Sequence, residues 1–360
     1  MLVDISFLHY GLVCIVIFLS GILIIKMSES EAFQIKKYQT LQKIHQGDVP
    51  RLGGVAVALG LIIFTYLNQN TIYFDFLFKI SLAAIPFFLV SLIEDVYHNI
   101  KPILRFFAIS LSAILFVYFS GFSLTKVQTP VLDFFMHYEA FSFLFTVIAL
   151  VSITNAFNII DASNGIASLT FIVASLSLFI ASSFFQDPFI QFLSLSIAIL
   201  PIGFLVLNFP LGKIFLGDSG AYLLGFLIGT LVIVFFIRNP DAPKWLAILI
   251  LAYPFFELIF SFLRKILLRQ SPFEPDKKHL HLMVNDLTQS IYKKMNKKRH
   301  NNLRANNMNT VTLIFFWLSP LYFVYAHLAY NTPIFNLLTF YINIYLFFYL
   351  FISNILRDKK

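Results

Sequence analysis

Asn208-Phe-Pro-Leu-Gly-Lys-Ile-Phe-Leu-Gly-Asp-Ser-Gly220 is a short polar hairpin wedged between two apolar runs, 190–207 before it and Ala221–Ile237 after it. Each run is close to the ~18–20 residues that a helix needs to cross a bilayer. Asp218 therefore stands at a membrane boundary, where ionisable groups serve ions, protons or substrates. The stretch decides the fold class: helices in lipid, with the chemistry in their connections.

The rest of the chain agrees. Of its 360 residues 59% are hydrophobic, 18% aromatic and only 12% charged, too apolar for a water-soluble globule. Hydropathy predicts helices at 7–27, 52–68, 77–95, 103–120, 140–157, 166–185, 190–207, 220–237, 245–263, 311–328 and 334–355, about eleven spans in all. The expectation is an all-α, polytopic integral membrane protein with cytoplasmic catalytic loops. It is read as a single domain over 1–360, with a motif-bearing core at 49–282 and a basic cytoplasmic loop at 264–309. Asp4 and His9 stand where a signal peptide would be basic, so the run Gly11–Ile25 is read as a retained first helix. The single cysteine, Cys14, offers no disulfide framework and reads as a small packed or lipid-facing side chain.

Charge sets the orientation. Of the 26 Lys and Arg, all but Lys79, Lys126, Arg238 and Lys244 fall on odd-to-even connections or the carboxyl tail. The positive-inside rule then puts the amino terminus outside and the carboxyl terminus in the cytoplasm. The net charge of +8 follows from this topology and from attraction to the lipid bilayer, with no nucleic-acid partner required. The connections rich in polar motifs all lie on the cytoplasmic side, whereas Gly121–Glu139 and the other external ones are short or bland.

Five stretches could carry chemistry. Val49-Pro-Arg-Leu-Gly-Gly54 enters the second helix, offering the Arg51 fork to phosphate or simply a basic flank with a glycine packing face. Glu94-Asp95 ends the third helix, where adjacent carboxylates repel unless a cation neutralises them, and where negative charge opposes the macrodipole. In Asn155-Ala-Phe-Asn-Ile-Ile-Asp-Ala-Ser-Asn-Gly165, Asn155, Asn158 and Asp161 recur every third residue. They could share one helical face and hold a nucleotide or metal, or act as interhelical polar glue. In the opening hairpin, Gly217 and Gly220 leave amides open to phosphate oxygens, Lys213 adds a cation, and Asp218 can hold a hard metal. In Pro275-Asp-Lys-Lys-His-Leu-His-Leu282 the i, i+2 spacing of His279 and His281 fits a loop or strand rather than one helix face. Donation to a diphosphate suits that pair better than zinc. Glu257, inside the ninth run, needs a partner, and Arg264 two turns on is the candidate. The run Lys293–Arg304 reads as a membrane-surface basic patch.

In this order, Val-Pro-Arg-Leu-Gly-Gly, Asn-Ala-x-Asn-x-x-Asp, Phe-x-Gly-Asp-Ser-Gly and the histidine stretch resemble the polyprenyl-phosphate N-acetylhexosamine-1-phosphate transferases over roughly residues 49–282. The entry motif is more similar to the O-antigen and teichoic-acid initiating branch than to the phospho-N-acetylmuramoyl-pentapeptide transferase. The resemblance implies transfer of an N-acetylhexosamine-1-phosphate from a UDP-sugar to undecaprenyl phosphate, with release of UMP, at a bacterial inner membrane. It further implies Mg²⁺, with Mn²⁺ able to stand in, and a homodimer as the assembly to test. Asp218 matches the family's metal-binding aspartate, with Asp161 beside it in the nucleotide-side motif. Asp95 and Glu94 match the paired catalytic carboxylates, Asp161 a third. Arg51, Asn155, Asn158, Lys213, His279 and His281 fall at substrate-binding positions. The departures are Glu94 for aspartate, Ala162 and Asn164 for the glycine and aspartate of Asp-Gly-x-Asp-Gly, and a shortened histidine motif. The rival readings are a transporter or flippase, built on repeats and broken helices with mid-bilayer charges, and a non-catalytic lipid-carrier binder.

Overall fold

The computed structural model describes residues 7–30, 49–270, 278–294 and 302–357. Pro275–Lys277, most of the basic run Lys293–Arg304, and Lys36, Lys37, Lys43, Lys359 and Lys360 lie outside them. The described residues form helices: α1 (Phe7–Glu29), α2 (Gly53–Leu67), α3 (Phe74–Tyr97), α4 (Pro102–Ser120), α5 (Pro130–Met136), α6 (Glu139–Ile160), α7 (Ile166–Phe184) and α8 (Pro188–Ala198). There follow α9 (Leu200–Asn208), α10 (Gly217–Arg238), α11 (Leu246–Ile250), α12 (Ala252–Leu267), α13 (Leu280–Lys294), α14 (Asn302–Thr312), α15 (Ile314–Tyr330) and α16 (Ile334–Arg357). Nine helical stretches among them are long and apolar enough to span a membrane. Two expected spans are not of that kind: α2 has 15 residues, and the ninth is divided into α11 and α12 at Leu251. The connection Gly121–Glu139, read as bland, contains α5.

The bundle is built around α10. Lipid-facing helices keep an exposed apolar side, but α10 is buried along nearly its whole length, as expected of a helix that is apolar all round. It packs against α2, α3, α6, α7 and α8. Small residues let these backbones approach. A Cβ on Gly225 would meet the Thr154 backbone of α6 at 2.9 Å, and one on Gly54 of α2 would lie 2.3 Å from the Gly220 amide.

Proline marks the breaks. Pro201 sits at the joint of α8 and α9, and Pro254 in the first turn of α12. Pro86 interrupts α3, and the next amide, Phe87 N–H, donates to Ser112 Oγ of α4 at 3.3 Å. Neighbouring side chains re-satisfy backbone in this way where water is absent.

The far end of α10 is fixed by an ion pair. Arg238 donates to both carboxylate oxygens of Asp187, at 2.9 and 3.0 Å, and Asn239 Nδ2 adds a third bond at 3.0 Å. Burial alone would push the Asp187 carboxyl up, yet these donors and the Arg238 charge hold it below the usual aspartate range. Asp187→Ala leaves a partly exposed guanidinium without its carboxylate and is expected to cost about 1–3 kcal/mol. Thermal unfolding in detergent should show a lowered midpoint for this variant.

Candidate active site

At the first turn of α10 the sequence Leu-Gly-Asp-Ser-Gly folds against three other segments. The entry strand of α2 docks first: Phe215 N–H donates to Pro50 O at 2.9 Å, while Gly53 and Gly54 N–H donate to Phe215 O and Leu216 O at 2.9 and 2.8 Å. Pro-Arg-Leu-Gly-Gly thus satisfies the open amides of its own helix on the hairpin backbone. Gly217 has φ +78°, and a Cβ there would meet Arg51 O at 2.3 Å and Asp95 Oδ2 at 2.6 Å, so only glycine fits.

Asp95, at 1% exposure, does not face solvent but holds the start of α10. Its Oδ1 accepts the Asp218 N–H at 2.8 Å, and its Oδ2 accepts the Ser219 N–H at 2.9 Å and the Ser219 hydroxyl at 2.7 Å. A carboxylate at a helix amino terminus meets both the free amides and the positive end of the dipole. Asp218, one residue into the turn, is gripped by two arginines. Arg51 Nη2 donates to Oδ1 at 3.0 Å, and Arg105 Nη1 of α4 contacts Oδ2. Arg51 also lies 3.8 Å from Asp95 Oδ1.

Asp161 caps the carboxyl end of α6 just past its last turn, half-buried, within reach of the same charges. Burial pushes its carboxyl up to about 8; Arg51 draws it down, and the negative charges of Asp218 and Asp95 add to the rise. Asp95, Asp161, Asp218 and Arg51 therefore form one electrostatic group. Asn155 and Asn158 lie half-buried on the last two turns of α6 leading to Asp161. Glu94 points elsewhere: its Oε2 accepts the Ile100 N–H at 2.8 Å and closes the turn between α3 and α4. Lys213 is exposed on the hairpin, which Asn208 shapes by donating to Ile214 O at 2.8 Å and accepting from Gly165 N–H at 2.7 Å.

The histidines straddle a helix start, His279 on the loop immediately before α13 and His281 inside its first turn. Their rings are parallel to within 7° and 5.3 Å apart. Their partner is Glu257, not reached by Arg264, which donates to Ser261 Oγ. His279 Nδ1 lies 3.0 Å from Glu257 Oε2 and His281 Nδ1 3.8 Å from Oε1, with Tyr253 Oη 3.4 Å from His281 Nδ1. A carboxylate at 1% exposure takes two interior imidazoles because α12 turns that face inward, while Arg264 lies one turn from the helix end.

Arg105 and α14 carry contacts that the motifs did not announce. Asn306, Asn307, Asn309 and Thr310 of α14 all bond to segments of the site. Their signal in the sequence is a cluster of amides and a hydroxyl leading into an apolar run, where polar groups need partners.

The donor set suits a hard cation. Asp161 and Asp218 offer oxygen ligands in a crowded anionic corner, although no three His, Cys, Asp or Glu side chains among the described residues cluster tightly enough to cage an ion. Mg²⁺ does not ask for a cage, because it binds through one or two carboxylates, waters and substrate phosphates.

An apolar cavity of about 420 Å³ runs between α6, the carboxyl-terminal half of α10, α11 and α12, and reaches the connections that hold Lys126 and Lys244, away from the first turn of α10. Ile153, Ala156, Val232, Leu251, Pro254 and Leu258 are among the residues that line it.

Comparison with known proteins bears on the same region. The glycosyl transferase family 4 profile matches residues 77–236. The undecaprenyl-phosphate alpha-N-acetylglucosaminyl 1-phosphate transferase of Thermotoga maritima is 35% identical over 243 residues, covering 67% of this chain and 69% of that protein. A probable undecaprenyl-phosphate N-acetylglucosaminyl 1-phosphate transferase of Bacillus subtilis is 27% identical over 242 residues, 67% of this chain and 66% of its own length. The decaprenyl-phosphate N-acetylglucosaminephosphotransferase of Mycobacterium leprae is 26% identical over 279 residues, 68% of each.

Proposed function

The chain belongs to the polyprenyl-phosphate N-acetylhexosamine-1-phosphate transferases, within glycosyl transferase family 4, and on that premise we propose that it moves an N-acetylhexosamine-1-phosphate from a UDP-sugar to undecaprenyl phosphate. A phosphate oxygen of the lipid attacks the β-phosphorus of the donor. The bond from that phosphorus to the bridging oxygen breaks, and UMP leaves with it. The reaction brings two anionic phosphates together, so it needs charge neutralisation and alignment above all.

The carrying observation is the cluster of Arg51, Arg105, Asp218 and Asp161 at one end of the bundle. In this reading the arginines meet phosphate oxygens, and Asn155 and Asn158 face the nucleotide. The histidines supported by Glu257 meet the diphosphate. Asp218 and Asp161 would hold Mg²⁺, which supplies charge neutralisation at the phosphates. Asp95 keeps Asp218 at the correct height by fixing the first turn of α10. The cytoplasmic face of a bacterial inner membrane is the side on which the Lys and Arg bias puts these residues.

Membranes containing the protein, incubated with undecaprenyl phosphate and a panel of UDP-N-acetyl sugars, should release UMP and yield a lipid whose mass names the sugar. No UMP from any donor would refute the reading. Removal of divalent cations by EDTA should lower the rate on the order of a hundredfold or more, with Mg²⁺ or Mn²⁺ restoring it. A rate indifferent to EDTA would take the cation out of the site.

A further inference from the structure

We propose that α14 is part of the catalytic architecture, with Asn309 the positioning residue that ties the Asp161 turn to the histidine helix; this rests on the transferase reading above. Asn309 is fully buried and uses both hydrogens of one amide. Its Nδ2 donates to Ser163 Oγ at 2.5 Å and to the backbone oxygen of His281 at 2.8 Å. Ser163 is two residues from Asp161. His281 carries one of the two imidazoles against Glu257. One side chain thus sets the spacing between the carboxylate side of the site and its histidine side, which approach from segments more than a hundred residues apart.

The neighbours of Asn309 do the same work on the same turn. Asn164 is held at three points: its N–H donates to Asn306 Oδ1 at 2.6 Å, its C=O accepts from Thr310 Oγ1 at 2.5 Å, and its Nδ2 donates to Asn307 Oδ1 at 3.0 Å. Asn307 Nδ2 then reaches the hairpin, donating to Pro210 O at 2.6 Å. Asn164 stands where the fuller motif has aspartate, and the structure gives the exchange a reason. A carboxylate has no hydrogen to offer Asn307 Oδ1, whereas an amide does.

Stability alone is a poor reason for such a network. Asn164 Oδ1 and Asn309 Oδ1 are buried without a hydrogen-bond partner among the described residues, a cost that apolar side chains would avoid. Directional bonds give register, and register is what phosphoryl transfer needs: a shift of about 1 Å at a reacting group can lower the rate on the order of a hundredfold.

The test uses the full chain in lipid nanodiscs, with Asn309→Ala and Ser163→Ala removing one bond from either side, and Thr312→Ala on an exposed face of α14 as control. Hydrogen exchange should quicken in Asn309→Ala at both the 162–166 and the 280–284 amides. KM for the UDP-sugar should rise about tenfold, the scale of one buried hydrogen bond, with a smaller fall in kcat. Ser163→Ala should raise KM in the same direction, and Thr312→Ala should match the wild type. If Asn309→Ala does not fold, Ser163→Ala decides alone. Faster exchange with unchanged KM, or a lowered melting point with wild-type exchange and kinetics, would make α14 a merely structural helix and overturn the proposal. Wild-type protein that releases no UMP would instead refute the transferase reading, and the positioning role with it.

Discussion

Asp218→Asn is expected to abolish transfer, by at least about a thousandfold, in a protein that still inserts and purifies as the wild type does. Three features converge on that number. The carboxylate is the group gripped by both Arg51 and Arg105, so it sets where the two guanidiniums sit. In the proposed reading it would hold a cation together with Asp161, and an amide is a far poorer ligand for Mg²⁺. Its neighbours would, in the same reading, act electrostatically on the phosphates, and removal of one principal electrostatic group commonly costs a factor of 10² to 10³. Asn is nearly isosteric, so packing around the first turn of α10 is kept and the loss is chemical. UMP release measured at saturating donor, with monodispersity and melting point alongside, decides it. Activity within about tenfold of wild type would remove Asp218 from the centre of the site.

Asp95→Asn should behave differently, losing activity and stability together. Both carboxylate oxygens accept hydrogen bonds, three in all, from the Asp218 and Ser219 amides and the Ser219 hydroxyl. An asparagine keeps one acceptor and turns an NH₂ toward amides that can only donate. At least one buried donor is left unsatisfied and a charge–dipole attraction is lost, together about 2–4 kcal/mol. The start of α10 then shifts, carrying Asp218 with it, and transfer falls by on the order of a hundredfold or more. Melting should drop for both variants, because Asp218→Asn also takes the carboxylate charge from Arg51 and Arg105, while only Asp95→Asn unfastens the first amides of α10. An Asp95→Asn protein as stable and as active as the wild type would contradict the arrangement.

The helices were legible because lipid enforces a simple rule: a long apolar run with no charge has one way to bury its backbone. Predicted and observed bounds differ by only a few residues through most of the chain, and α10 begins three residues earlier than its hydropathy because Asp218 and Ser219 are satisfied by Asp95. Breaks at Leu251 and Pro201 were not legible from hydropathy, which is blind to a kink between two apolar halves. Of the site, Arg51 and the Asp-Ser-Gly turn stood out as charge or glycine at a boundary. The partner of Glu257 did not, since helical spacing suggested Arg264 whereas the buried face of α12 meets α13. The amides of α14 were hidden for another reason. Asparagines without a repeating period announce only that something must be bonded, and three-dimensional packing decides what.

The tie made by α14 also has a meaning for synthesis. Residues 302–312 emerge from the ribosome after Asp161, Asp218 and both histidines, yet they bridge the Asp161 turn, the hairpin before Asp218 and the histidine helix. Until the nascent chain has delivered that helix, the Asp161 turn and the histidine helix lack the amide that joins them, although Asp95 already holds the start of α10. The late helix therefore closes a site whose other parts are already in place.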